Sequence, residues 1–309
     1  MSRIYRFRVV NVFAESATSA IAAGCADQAA DKRGQIVSYG LTGNPLAVIE
    51  DAEGLNNREM QQIALQFNLS ESTFVLPSDV ANAQVRIFTP TYEMPFAGHP
   101  TLGTAHVLRA LGNGGDDLKL QMKAGVIPVS AGADPASRDI WTLTANAPRH
   151  RDYEFSRAQI ADALGLSQLD IAADPLWMDT GVEQLVVALA GAEAVARASP
   201  RTDKFLVYCR NARSAQAYVF APSAPTEVIS RFFWQGHGGI AEDPGTGSAC
   251  ANLGGYFLST NARLPLKMVV HQGAATGQPC LLHLDIDTEK RIRVGGRVVE
   301  MMRGELQLD

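Results

Sequence analysis

The chain has 309 residues, 46% of them hydrophobic and 19% charged, with 27 basic and 32 acidic side chains and a formal net charge of -5. Length and composition describe a globular protein of about two domains that can bury a core without disulfide or metal staples. The acidic balance excludes the basic footprint of a nucleic-acid or anionic-membrane partner and leaves a small molecule as the expected ligand.

The N-terminal MSRIYRFRVVNVF alternates charged and apolar residues, so it is a strand over 4–13 and not the apolar core of a secretory signal. Residues 14–42 are rich in Ala, Ser and Gly without a period, and read as a long loop with a short helix near 20–30. PLAVIE (45–50) is a second strand. A helix follows over 57–67: Asn56 can cap it, and Met60, Ile63, Ala64 and Phe67 form a stripe at i, i+3, i+4, i+7. STFVLP and VRIFT read as strands, and TLGTAHVLRALG as a helix closed by Gly112 at C′. In the second half KLQMK, VIPVS, IWTLTA, QLVVALA, FLVYCR, AQAYVFA and RFFW read as strands. Ser156 with Gln159 makes a capping box for a helix ending at Gly165, and a further helix runs from about 247 to 258. No stretch reaches the roughly 18 apolar residues of a membrane helix. The cysteines Cys25, Cys209, Cys250 and Cys280 have no C-x-x-C spacing, so neither zinc nor a redox pair is signalled and a reducing cytoplasm is expected.

A loose repeat emerges. Each half offers several strands, then a Gly-containing turn feeding an apolar helix rich in Ala and Gly: AGHPT at 97–101 and DPGTGSA at 243–249. A helix with so few charges is expected to be wrapped by a sheet, and two such units would bring two helix starts to a common cleft.

The stretch IAEDPGTGSACANLGG (240–255) fits neither phosphate nor esterase chemistry. It lacks the Lys of a P-loop, has Cys250 where a dinucleotide fingerprint needs its third Gly, and reads G-T-G-S-A-C where a nucleophile elbow needs G-x-S-x-G. What remains is a helix start with free N–H groups from Thr246 to Ala249, a ready carboxylate site. Asp243 precedes it, His99 follows Gly98 at the matching turn, and Glu71 stands between a helix and a strand in NLSESTF. Acid–base groups with an anion site point to proton transfer next to a carboxylate.

The segments GNPLAVIE, MQQIALQFNLSESTFVLP, RIFTPTYEMPFAGHPTLGTAHVL and AEDPGTGSACANLGGYFL, in that order, resemble the PhzF family of phenazine-biosynthesis isomerase-like proteins. The resemblance implies an α+β, diaminopimelate epimerase-like fold of two pseudo-symmetric lobes, each a β-barrel-like sheet around a central helix. The lobes are expected at 1–125, with the C-terminal strand completing it, and 126–309. It also implies a homodimer and no cofactor, with isomerisation of trans-2,3-dihydro-3-hydroxyanthranilate as the family's characterised activity; no metal and a cytoplasmic location remain the expectations from the cysteine spacing and the lack of a signal. Matched by motif, Glu71 is the proton-shuttling base, His99 and Asp243 complete the catalytic set, and Gly98 and Ser248 are substrate-binding; the helix start adds Thr246 and Gly247 as the residues expected to bind a small carboxylated, unsaturated cyclic substrate. The 14–42 segment departs from the family's short turn there.

Each residue also has a plainer reading. Glu71 would be a solvated acid, His99 and Asp243 helix-cap residues, and Ser248 a first-turn residue. Cys250 is expected to be small and buried, His106 to pack or face solvent, and Trp141, Trp177 and Trp234 to lie in a core or dimer interface. Two other functions stay open at this point: an epimerase or racemase of an amino-acid-like substrate using Glu71 and Asp243, and a non-catalytic scaffold that keeps the fold.

Overall fold

The structure, a computed structural model, describes residues 2–15, 41–236 and 238–308. Most of the expected 14–42 insertion, with its helix near 20–30, lies outside those residues. The chain forms two compact units: Met1–Leu143 with Gly295–Asp309, and Thr144–Val294. The boundary therefore falls at 143/144 and not at 125/126, because the strands after 125 complete the first sheet.

The first unit holds β1 (Arg3–Val12), β2 (Asn44–Ile49), α1 (Asn57–Phe67), β3 (Glu71–Leu76), β4 (Ala83–Phe88), β5 (Glu93–Met94), α2 (Gly98–Ala110), β6 (Asp117–Met122), β7 (Gly125–Ala131) and β8 (Ile140–Thr144). To these the chain end adds Ile292–Leu308, the seventeenth strand, β17. Pairing runs β17–β1–β2 antiparallel, β2–β3 parallel, β3–β4 antiparallel, β4–β6 parallel and β6–β7–β8 antiparallel. β8 pairs back to β17, so these strands close into a ring, with the two-residue β5 added as a short edge on β4.

The second unit holds β9 (Arg149–Asp152), α3 (Arg157–Ala163), β10 (Leu176–Asp179), β11 (Glu183–Ala188), α4 (Ala192–Arg197), α5 (Thr202–Tyr208), β12 (Gln216–Ala224), β13 (Glu227–Gly236), β14 (Gly239–Asp243), α6 (Gly247–Ser259), β15 (Leu266–Gln272) and β16 (Cys280–Ile286). Its pairing repeats the first: β10–β11 antiparallel, β11–β12 parallel, β12–β13 and β13–β14 antiparallel, β13–β15 parallel, β15–β16 antiparallel. The expected fold class is the one observed. One detail of the repeat is chemical. Arg86 of β4 makes a two-pronged ion pair to Glu93 of β5 and lies 5.0 Å from the Phe88 ring; Arg231 of β13 does the same to Glu242 of β14 and lies 4.7 Å from Phe233. Each clasp fixes the strand that runs into a central helix.

Those central helices, α2 and α6, are enclosed. Nine of the 13 residues of α2 are buried, and it packs on β1, β2, β3, β6 and β7; α6 packs on β9, β10, β11 and β16. Close approach requires missing side chains. A Cβ on Gly103 would stand 2.6 Å from Leu46 and 3.0 Å from Val12, and one on Gly255 would stand 2.8 Å from Met178. The peripheral helices differ. α3 keeps the expected capping box at Ser156/Gln159, the expected cap Asn56 of α1 forms a full box with Glu59, each helix buries one stripe, and Gly112 adopts φ +81 after α2.

FLVYCR is helical, not extended: residues 202–208 form α5. β11 and β12 pair in parallel, so the chain between them must cross over, which a helix does and a hairpin cannot. Phe205 docks into the core while Val207 is exposed. Trp141 and Trp177 are fully buried, whereas Trp234 is 39% exposed and outside the core.

Replacing Gly103 with Val is expected to destabilise the protein by about 1–3 kcal/mol through overpacking, read as a lower urea midpoint. Gly115→Ala, where no atom lies within 4 Å of the added carbon, is the matched control with little change. A wild-type midpoint for Gly103→Val would mean that α2 is not held tightly against β2.

Candidate active site

The first unit gathers Glu71 and His99. Asn68 ends α1 in the left-handed region (φ 52), which reverses the chain so that Glu71 opens β3. His99 is the second residue of α2, and a hydrogen bond of 2.9 Å between the Thr73 and Thr104 hydroxyls ties β3 to α2. The outcome is His99 Nε2 facing Glu71 Oε2 at 3.5 Å, with side chains 6% and 15% exposed. Burial lowers the His99 pKa to about 3. The imidazole is therefore neutral at physiological pH, and the facing pair carries at most one formal charge. The Tyr92 hydroxyl has its pKa raised by partial burial and by the charge of Glu71, which places a phenol within electrostatic reach of the acid. Tyr92 carried no signal in the sequence beyond its place three residues after Thr89, at the turn of the β4–β5 hairpin.

The second unit gathers Asp243, Thr246 and Ser248. Asp243 ends β14, and Oδ2 accepts a hydrogen bond from the Thr246 hydroxyl. Gln272 Nε2 donates to the Asp243 backbone oxygen at 2.8 Å and to Thr246 Oγ1 at 3.0 Å. Gln272 reaches there because Gly273 turns at φ +82, with Pro244 O only 2.5 Å from where a Cβ would sit. The Thr246 N–H is spent on Gln272 Oε1 at 3.3 Å, so the expected array of four free donors is reduced. Thr246 is the N-cap of α6 and makes no side-chain cap bond, which leaves Gly247, Ser248 and Ala249 as the open first turn. α2 is open in the same way after Ala97, with Gly98 and His99 leading and Pro100 lacking a donor. Asp243 is thus a partner of the N-cap residue and not the cap itself.

Behind Ser248 lies a row of buried amides. Gln184 Nε2 donates to Ser248 Oγ at 3.0 Å, and Asn252 Nδ2 donates to Gln184 Oε1 at 2.8 Å. Gln184, Asn252 and Gln272 are 2%, 0% and 2% exposed. Sequence reading missed all three. The available signal was Asn252, a lone amide inside the apolar helix GSACANLGGYFLS, since a buried amide needs partners.

Cys250 is buried, with its thiol pKa pushed up by burial, so it is no nucleophile. His106 packs, accepting from Trp141 Nε1 at 3.4 Å. Among the described residues no group of three His, Cys, Asp or Glu side chains could hold a metal ion. A cavity of about 500 Å³ in the second unit lies at the far end of α6, among Asn146, His150, Leu258, Ser259 and Lys290, and includes none of the expected site residues.

Two units of one topology, each a mixed sheet wound on a buried helix with an open polar start, define a duplicated α+β fold of the diaminopimelate epimerase type. The chain belongs to the phenazine biosynthesis-like (PhzC–PhzF) family, whose model matches residues 38–304. It is 36% identical to an uncharacterized isomerase of Pasteurella multocida, covering 98% of this chain and 94% of that one. It is 33% identical to the trans-2,3-dihydro-3-hydroxyanthranilate isomerase of Pseudomonas aeruginosa, over 79% of this chain and 84% of that one. In fold it matches the crystal structure of a Bacillus anthracis PhzF-family protein with a TM-score of 0.81, at 24% identity, covering 99% and 100% of the two chains.

The His99 environment makes a pH prediction. An unfolded imidazole titrates near pH 6.5, the folded one only at about 3, so below pH 6.5 the unfolded state binds the extra proton. Stability therefore falls with pH in that window, by about 2 kcal/mol at pH 5, and His99 contributes nothing to pH dependence above it. His99→Gln should lose less stability than wild type between pH 7.5 and 5 in denaturant titrations; an equal fall in both would mean that the ring is not buried in its neutral form.

Proposed function

We propose that the chain is a cofactor-independent isomerase that shifts a proton on a small unsaturated carboxylate, with trans-2,3-dihydro-3-hydroxyanthranilate as the first substrate to test. The observation that carries this reading is Glu71 Oε2 facing the buried, neutral His99 Nε2 at 3.5 Å. Glu71 takes a proton from a substrate carbon and returns it to another while the double bonds shift the other way. Nothing is oxidised, reduced or lost, so the step needs no redox partner. His99, uncharged, hydrogen-bonds the substrate's polar substituent without stabilising a permanent second charge beside the base. The second unit, taken by itself, offers a carboxylate site at the open turn of Gly247, Ser248 and Ala249, next to Asp243.

The repeat supports one base per chain. In the β2–β3 pair the register opens with Leu46 opposite Glu71; in the β11–β12 pair it opens with Leu185 opposite Ala217. His99 and Ser248 hold the same second position in α2 and α6. Corresponding places thus carry acid–base groups in one unit and an apolar residue and a hydroxyl in the other. That asymmetry favours a one-base proton shift over a racemase built from matched bases. The family resemblance adds the expectation of a homodimer, which a solution mass of a single 33.1 kDa chain would remove.

Glu71→Gln should lower turnover at least about 100-fold while leaving the thermal midpoint and substrate affinity near wild type. Turnover in deuterated water with mass-spectrometric readout checks the role directly. A variant that still isomerises the substrate and exchanges its carbon-bound hydrogen takes Glu71 out of the reaction.

A further inference from the structure

The amides behind Ser248 have only one consistent orientation, and it can be read from a donor that cannot be reversed. The Thr180 backbone N–H and the Thr180 hydroxyl meet one side-chain atom of Asn252 at 2.9 and 2.8 Å. A backbone N–H only donates, so that atom is Asn252 Oδ1. Asn252 Nδ2 then donates its two hydrogens, to Val182 O at 2.9 Å and to Gln184 at 2.8 Å. The Gln184 atom that receives it must be Oε1. Its other terminal atom is Nε2, and that is the atom 3.0 Å from Ser248 Oγ. Ser248 Oγ is consequently an acceptor toward the protein, and its own proton is directed away from Gln184. The first turn of α6 then presents donors: the Ser248 hydroxyl beside the N–H groups of Gly247, Ser248 and Ala249.

We infer that Gln184, oriented by Asn252 and Thr180, is a positioning residue that fixes Ser248 as a hydrogen-bond donor and so makes this turn select a carboxylate over the isosteric carboxamide. The inference rests on the reading that the substrate carboxylate binds at this turn. A carboxylate accepts from every donor the turn offers, whereas a carboxamide turns an NH₂ toward at least one of them. A buried mismatch of two donors is the kind of contact that discriminates strongly. Gln184 touches no substrate in this account. It acts through Ser248, and neither glutamine's position in QLVVALA nor its neighbours announce the role.

The test uses 2-aminobenzoate and 2-aminobenzamide as stable aromatic probes, with affinities from calorimetry on the full chain. Wild type is expected to prefer the carboxylate. Gln184→Met, neutral and of similar volume, should weaken 2-aminobenzoate about tenfold and change 2-aminobenzamide less than about twofold. Ser248→Ala should reproduce that loss, and the double variant should be no worse than either single one. Equal losses for both probes, or losses that add in the double variant, overturn the inference. Side-chain amide resonances of Gln184 in the ligand-free protein give a second readout that needs no binding and no new fold. Ser248→Ala should shift them and speed their exchange with solvent. If they do not move, the relay is wrong whatever binds; if they move but wild type binds no 2-aminobenzoate, the carboxylate reading fails and the selectivity with it.

Discussion

Everything in this protein follows from enclosing an apolar helix inside a sheet. A helix on a surface satisfies its first N–H groups with a capping side chain or with water, and α1 and α3 do so through Asn56 and Ser156. A helix wrapped by strands has neither the space nor the solvent along its length, so its polar ends become the reactive places. α2 and α6 both begin without a capping side chain. Enclosure also dictates composition. Gly103, Gly254 and Gly255 stand where a Cβ would come within 2.8 Å of a neighbouring side chain. The small residues are there because the sheet closes around them, and the open helix starts are there because nothing inside the wrap is spent on closing them.

Duplication then separates the chemistry. The two units share strand order, the Arg–Glu clasps at Arg86–Glu93 and Arg231–Glu242, and a helix entered from a short edge hairpin. They differ at the same structural positions: an acid and a buried imidazole in one, an alanine and a serine in the other. Burial sets the electrostatics of the first set, since it holds His99 neutral beside Glu71. Hydrogen bonding sets the second. Gln272 and Gln184 are each oriented through a backbone N–H, of Thr246 and of Thr180, and each hands a fixed polarity to one hydroxyl. Buried networks of this kind are costly when any member is unsatisfied, which is why they settle on a single arrangement.

Much of the fold was legible because its signals are local. N-x-x-E at Asn56 and S-x-x-Q at Ser156 name helix starts by themselves, and the stripe of Met60, Ile63 and Ala64 names the buried face. His99, Asp243 and Ser248 stood out because acid–base or hydroxyl side chains at Gly-containing turns are unusual against the apolar runs around them, and Glu71 stood out through the NLSES motif between a helix and a strand. FLVYCR was not legible. Five apolar or aromatic residues in a row suit a strand or a buried helix equally, and only the parallel crossing from β11 to β12 decides for a helix. The extent of the first unit was hidden likewise, since closure of β8 on β17 joins residues far apart in the chain.

By itself the amino-acid sequence determined the strands and capped helices, the repeat of two Gly-containing turns, and the family, because each of these is written in short segments whose meaning does not depend on distant residues. Only the tertiary structure decided that Glu71 and His99 face each other at 3.5 Å and that the imidazole is uncharged, since both depend on β3 packing against α2. It also decided that Thr180, Gln184 and Asn252 line up behind Ser248. Hydrogen-bond polarity is a property of neighbours in space, and no spacing along the chain encodes it.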